Sequence, residues 1–324
     1  MGWKGTMRSM AAAARRYEKA RLRELKVQAR EQELAYAREV VREYDAYIKS
    51  LTSVHRECSA PMDWHSTSSS PSPEPPERPH HRSTEARRVL ERFTPGILDR
   101  LLGRVETRRQ QLARAVQVAE SDEEREFEES MRQHLVEYAS WEDLRHLARR
   151  VLEGDVQAYG QALESLNPLD NIPVGSGATI GFIDSATAEA TLRVLGPEIV
   201  PDEVRALLRS GRLQVRRMPV AQGQELYRAH VCSAILRLAQ EILAFLPIRT
   251  IMVHANSDVL NARTGHVEEQ TILSVMIPRA TLERLSPKHL DPASALENFL
   301  HRISFRKTKG LSPVEPLRWT ELQA

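Results

Sequence analysis

The chain has 324 residues, 28% of them charged and only 5% aromatic, with 46 Lys and Arg against 44 Asp and Glu. A formal net charge of +2 gives no global field for nucleic acid or membrane, so any such contact has to come from a local patch. Cys58 and Cys232 are the only cysteines, which excludes a four-thiolate zinc site and gives no sign of a secreted disulfide framework.

The basic N-terminus is not followed by an apolar core of signal-peptide type. Nowhere do about 18 apolar residues run together, so no membrane span is predicted and a cytoplasmic setting is the expectation.

Residues 1–58 predict a long basic amphipathic helix, with no Pro or Gly between Met10 and Ala60. Its apolar stripe includes Tyr17, Leu22, Leu25, Leu34, Val40, Tyr44, Ile48 and Leu51. So narrow a seam, with imperfect heptads, suits packing against one or two other helices. Tyr36, Tyr44 and Tyr47 beside Arg38 and Arg42 read as seam residues rather than base stackers.

Residues 59–84, "SAPMDWHSTSSSPSPEPPERPHHRST", predict an extended or disordered linker, since Pro blocks helix and removes donors. Residues 85–166 return to charged helix, with Thr94–Pro95 as a start signal and Gly103 and Gly154 as weak points. The acidic run Glu120–Ser130 reads as a solvated face. The first helical segment is basic early on and the second is acidic in its middle. The two can close as an antiparallel hairpin or self-associate, and the sequence leaves both open.

At "NPLDNIPVGSGATIGF" the periodicity changes, and residues 167–324 predict a compact mixed α/β domain with a basic tail. "TIGFID" and "EATLRVLG" read as a strand pair. "VPDEVRALLRSG" reads as a short helix, "RLQVRRMP" as a strand and "QELYRAHVCSAILRLAQEILAFLP" as the most apolar helix, where Cys232 is expected to be buried. "IRTIMVHA" and "QTILSVMIP" are two strands, and "RATLERL" and "DPASALENFLHRI" are helical. The fold class is α+β: a long N-terminal helical hairpin or coiled coil followed by a compact mixed α/β domain.

The loop between the last two strands carries His254, Asp258, His266, Glu268 and Glu269. "NARTG" is turn chemistry, which makes the plain reading a hairpin connection with exposed polar residues. The sharper reading is a divalent-cation site laid out as in nucleases of the restriction-endonuclease superfamily. Glu241 on the helix, Asp258 after one strand, and Glu268 with Gln270 on the next are then the catalytic set. Asp258 and Glu268 hold Mg²⁺, which activates water for attack on a phosphodiester. Gln270 stands where that layout has Lys and supplies no cation.

A zinc alternative joins His254 and His266. HExxH, the G-x-S-x-G elbow, the P-loop and the dinucleotide fingerprint are absent from the sequence. No cofactor is expected unless the nuclease reading holds.

His301, Arg302, Arg306, Lys307 and Lys309 form a basic cluster near the C-terminus, which Arg212, Arg216 and Arg217 extend if the fold brings them near. Arg302, Arg306, Lys307 and Lys309 are the candidates for nucleic-acid contact, against a solvated surface as the plainer reading.

"LRSGRLQVRRMP", "LSVMIPRATLERL" and "LENFLHRISFRKTKG", with the N-terminal "GWKGTMRS", resemble a group of uncharacterised bacterial proteins. The resemblance implies an N-terminal helical segment, an α/β C-terminal region and a bacterial cytoplasmic setting, with no activity or catalytic residue attached. The expected function is a non-enzymatic interaction or assembly protein, a coiled-coil stalk that joins copies or a partner protein and presents the α/β head. The alternative is a metal-dependent nuclease-like or nucleic-acid-binding effector, as in genome defence.

Overall fold

A run of helix formers free of Pro and Gly from Met10 onward gives most of helix α1, Trp3–Thr52, in the computed structural model, which describes residues 3–169, 175–260 and 264–322. A 3-10 turn, Val54–Arg56, follows it. The chain divides into two compact units, one of residues 1–62 and 163–324, the other of residues 63–162. Helix α1 thus groups with the C-terminal region. Residues 170–174 of the predicted boundary and 261–263 of the predicted turn lie outside the described residues.

In the unit of residues 63–162 most of the Pro-rich stretch is extended and lies along a helix. That unit contains α2 (Trp64–Ser69), α3 (His81–Glu91), α4 (Ile97–Leu101), α5 (Val105–Leu152) and the start of α6 (Val156–Leu166). Asp63 caps α2, accepting from the Ser66 amide at 2.9 Å. From there the Pro-rich stretch runs antiparallel along α5, anchored by side chains reaching across. Trp141 Nε1 donates to Ser70 Oγ at 3.0 Å, Arg145 Nε donates to the Ser68 carbonyl at 2.9 Å, and the Arg78 guanidinium sits 4.7 Å over the Phe127 ring. Proline does not oppose this arrangement. An extended strap held by its carbonyls and hydroxyls needs few of the backbone donors that proline lacks, and proline lowers the entropy lost on ordering it.

The acidic run of α5 is not uniformly solvated. Glu123 is only 6% exposed. Its carboxylate accepts from the amides of Arg82 and Ser83 at 2.7 and 3.1 Å, donors of the first turn of α3 that no intrahelical carbonyl reaches. Glu120 is half-buried, Glu124 and Glu126 are exposed, and the three pair with Arg87, Arg78 and Arg82.

The unit of residues 1–62 and 163–324 is built on a six-stranded sheet of order β1-β2-β5-β6-β7-β8, beside a separate two-stranded ribbon, β3-β4. The strands are β1 (Gly175–Asp184), β2 (Thr187–Val194), β3 (Glu203–Leu207), β4 (Leu213–Arg217), β5 (Thr250–Leu260), β6 (Val267–Pro278), β7 (Leu300–Arg306) and β8 (Gly310–Ser312). Among the described residues only β2 and β5 pair in parallel, and the crossover between them carries α7 (Val220–Phe245). Helix α7 packs on the sheet, and its C-terminal carbonyls are gathered by one guanidinium: Arg279 donates to the carbonyls of Leu243, Leu246 and Ile248. Met252 and Met276, paired across β5 and β6, cluster with Leu317 of the C-terminal strap, and Trp319 packs beside them.

Three further expectations change. Residues 200–211, read as a short helix, hold strand β3. Their apolar spacing at Val204, Leu207 and Leu208 suits either period, and pairing with β4 across a turn with Gly211 at φ +80° decides it. Residues 291–303 are helical only over α9 (Pro292–Ala295) and a 3-10 turn, Leu296–Asn298, before the chain enters β7. The predicted helix at 279–285 is the short α8 (Arg279–Leu282). The predicted tail is therefore sheet and strap, since β6 offers an edge to pair with.

The Ser83 hydroxyl, with the Ser83 and Arg82 amides, holds the Glu123 carboxyl below its usual 4.5, against the opposing effect of burial. A carboxyl whose folded pKa is depressed contributes stability above its unfolded value, and that contribution is lost as the pH falls through the folded one. Glu123→Gln is expected to lower the melting temperature at pH 7 and to flatten the loss of stability from pH 5 downward, as measured by thermal denaturation across that series.

Candidate functional site

Along α7 four buried polar residues fall on one line: His230, Ser233, Arg237 and Glu241, spaced by three or four, share a face. All are buried in a helix otherwise filled by Val231, Ile235, Leu238 and Ile242. Residues 51–62 lie against that line and meet it about once per turn. The Leu51 carbonyl faces His230 Nδ1 at 3.0 Å. Ser233 Oγ accepts the His55 amide at 3.1 Å and lies 2.8 Å from His55 Nδ1. The Ser59 amide donates to Glu241 at 2.9 Å, and the Met62 amide to the Ala244 carbonyl at 3.0 Å. Arg237 completes the seam with an ion pair to Glu241 at 2.8 Å. His55 Nε2, His230 Nε2, Arg237 Nε and Nη1 and Gln240 Oε1 have no hydrogen-bond partner among the described residues, so the seam is satisfied only in part.

Burial lowers the pKa of both histidines. For His55, Arg56 adds to the lowering, while the Leu290 and Pro287 carbonyls and Asp291 oppose it. For His230 the Leu51 carbonyl opposes it. Burial and Glu241 raise the Cys58 thiol, and burial pushes Cys232 up to about 12, so neither sulfur is set up as a thiolate. Cys232 is buried, as its apolar setting predicted.

The four residues of the metal reading are not gathered on one site. Asp258 opposes Glu269 across the β5–β6 ladder and Glu268 opposes Val259, so Asp258 and Glu268 project to opposite faces. Both oxygens of Asp258 are held by Arg193 at 2.9 and 3.1 Å. Glu268 accepts from Thr264 and from Gln270, and Glu241 is committed to the α7 seam. Among the described residues, no group of three His, Cys, Asp or Glu is placed to hold a metal ion.

His254 and His266 also part company. His266 is exposed, whereas His254 is buried on the strap side of the sheet rather than in a solvated turn. There it forms a Ser–His–Glu chain that local sequence gave no means of finding, because Glu189, His254 and Ser274 come from three strands. His254 Nδ1 lies 2.8 Å from Ser274 Oγ, and Nε2 lies 3.4 Å from Glu189 Oε1. The strap closes the chain: the Leu317 amide donates to Ser274 Oγ at 3.0 Å and Trp319 Nε1 to Glu189 at 3.0 Å. Ser274 is fully buried with its oxygen already an acceptor, so the arrangement fastens the strap and leaves no approach for an acyl group. Burial lowers the His254 pKa against the pull of Glu189.

Two of the four basic candidates near the C-terminus are neutralised. Arg302 pairs with Glu321 at 2.6 Å and Lys307 with Glu225 at 2.7 Å. Arg306 and Lys309 are exposed, and the neighbouring Phe305 ring carries the Arg228 guanidinium 4.4 Å above it.

No family model, curated protein or solved structure matches the chain. No helix of the described residues is long and apolar enough to cross a membrane.

Because Ser233 is fully buried with its hydroxyl against both the amide and the ring Nδ1 of His55, Ser233→Ala is expected to cost about 1–3 kcal/mol of unfolding free energy. It should also speed hydrogen exchange at the Ser59 and Met62 amides. The lowered histidines give stability that is full above the ordinary value of 6.5 and declines as the pH falls below it. Urea unfolding at pH 7.5 and 5.5 should therefore show a loss that His230→Gln reduces.

Proposed function

We propose that this chain is an interaction and assembly protein, in which α1 is a stalk that joins two copies and presents the α/β head. One observation carries the reading. The C-terminal half of α1 is packed, with Ala37 and Val40 buried and contacts to α7, β3 and β4, whereas every residue from 21 to 33 is exposed. On that bare stretch Leu22, Leu25 and Ala29, continued by the exposed Tyr36 just beyond it, lie on one face at alternating steps of three and four, with Gln32 in the one polar place. Leu22 and Leu25 are 53% and 52% exposed.

Burying each such leucine contributes roughly 1.5–3 kcal/mol, and a seam of this spacing is complementary to itself, which makes a second copy the partner of choice. The committed Ser274 hydroxyl and the divided carboxylates support a non-enzymatic reading over hydrolysis.

Sedimentation of the full chain is expected to show a dimer or larger species at micromolar concentration. Leu22→Glu with Leu25→Glu should return it to the monomer with its helix content retained. A wild-type monomer, or a double variant that still associates, contradicts the reading.

A further inference from the structure

We propose that a second face of α1, together with the β3–β4 ribbon, forms a cationic track for the phosphate backbone of duplex nucleic acid. The junction is fixed by contact: the ribbon turn brings Gly211 against Leu34, whose Cδ2 lies 3.0 Å from where a Cβ at 211 would stand. At about 100° per residue, Arg16, Lys19, Arg23 and Arg30 fall within about 60° of the line of Leu34, while Glu18 lies opposite, Glu24 to the side and Glu31 at the edge. At the ribbon turn Arg209 and Arg212 flank Gly211. All six cations are exposed, and none forms an ion pair among the described residues.

The spacing is unfavourable for the helix alone. The residues four beyond Arg16, Lys19, Arg23 and Arg30 are Ala20, Arg23, Val27 and Leu34, so no acid stands at that spacing and Lys19 stacks on Arg23; Glu33, three beyond Arg30, is the one acid a helical turn away from any of the four. Like charges at that spacing destabilise a helix, and an external anion relieves the repulsion. The form of the anion follows from the geometry. Arg16 to Arg30 spans about 21 Å of helix at 1.5 Å per residue, the length of roughly six base pairs. Five of the six cations are arginines, whose guanidinium fork matches phosphate oxygens.

A linear row of forks ending in a two-stranded ribbon fits a regular polyanion and a groove better than it fits a planar lipid surface. The apolar seam of Leu22 and Leu25 lies on the other side of the helix, so association and phosphate contact do not compete. The paired Arg302 and Lys307 lie outside the track.

Titration of the full chain against a fluorescent 25-base-pair duplex tests the proposal. Between 50 and 200 mM salt the affinity is expected to fall by about a hundredfold to a thousandfold, as four to six neutralised phosphates require. Arg209→Glu with Arg212→Glu should weaken binding at least tenfold and reduce the salt slope. Arg23→Glu with Arg30→Glu should do the same from the helix side, and Arg302→Ala with Lys307→Ala should leave binding unchanged. Absence of binding at 50 mM salt overturns the proposal, as does undiminished binding in both reversal variants. Preferential binding to phosphatidylserine–phosphatidylcholine vesicles over the duplex overturns it too, by assigning the track to a lipid surface.

Discussion

The seam between α7 and residues 51–62 is the constraint on which the larger unit rests. Burying His230, Ser233, Arg237 and Glu241 on one helix face is costly unless each finds a partner, and the chain leaving α1 supplies most of them. An apolar α7 face would hold the same segment in several registers. Here the pairing of Leu51 with His230, His55 with Ser233 and Ser59 with Glu241 admits one. The Arg237–Glu241 pair adds to that specificity more than to stability, since its desolvation offsets much of its attraction.

Fixing residues 51–62 fixes the last turns of α1, and a continuous helix transmits that direction to its far end. The packed half of α1 stands on α7 and the ribbon, and the other half carries two unlike faces around one axis. One is apolar, at Leu22, Leu25, Ala29 and Tyr36; the other is cationic, at Arg16, Lys19, Arg23 and Arg30. That division explains why the apolar stripe of the sequence looks imperfect as a single heptad: from Leu34 onward it follows the α7 and ribbon contacts, and before Leu34 the exposed leucines lie on a different side.

The long helices, the β1–β2 pair, α7 and the β5–β6 hairpin were legible because their signals are local: uninterrupted helix formers, turn residues and apolar strand runs. The ribbon strand at Val204–Leu207 was not, since its apolar spacing suits two periods and only the partner strand chooses between them. The Pro-rich segment reads as an extended or disordered linker from composition, because its anchors Trp141, Arg145 and Glu123 lie far along the chain. The placement of the candidate site residues was illegible for a related reason. Asp258 and Glu268 are near in sequence order across a hairpin, yet ladder parity sends them to opposite faces. Ser274, His254 and Glu189, which do meet, come from strands that no local motif connects.

The central claim, that the bare half of α1 meets its equivalent in a second copy, is tested most directly by a spin label at Ala29. That residue sits at the middle of the apolar seam and therefore faces its counterpart in either helix orientation. With Cys58→Ser as background and Cys232 left buried, Ala29→Cys carries the only accessible thiol. Helix axes about 8–10 Å apart predict strong dipolar broadening between copies that disappears on dilution with unlabelled protein. A spectrum identical in fully labelled and diluted samples would contradict the account.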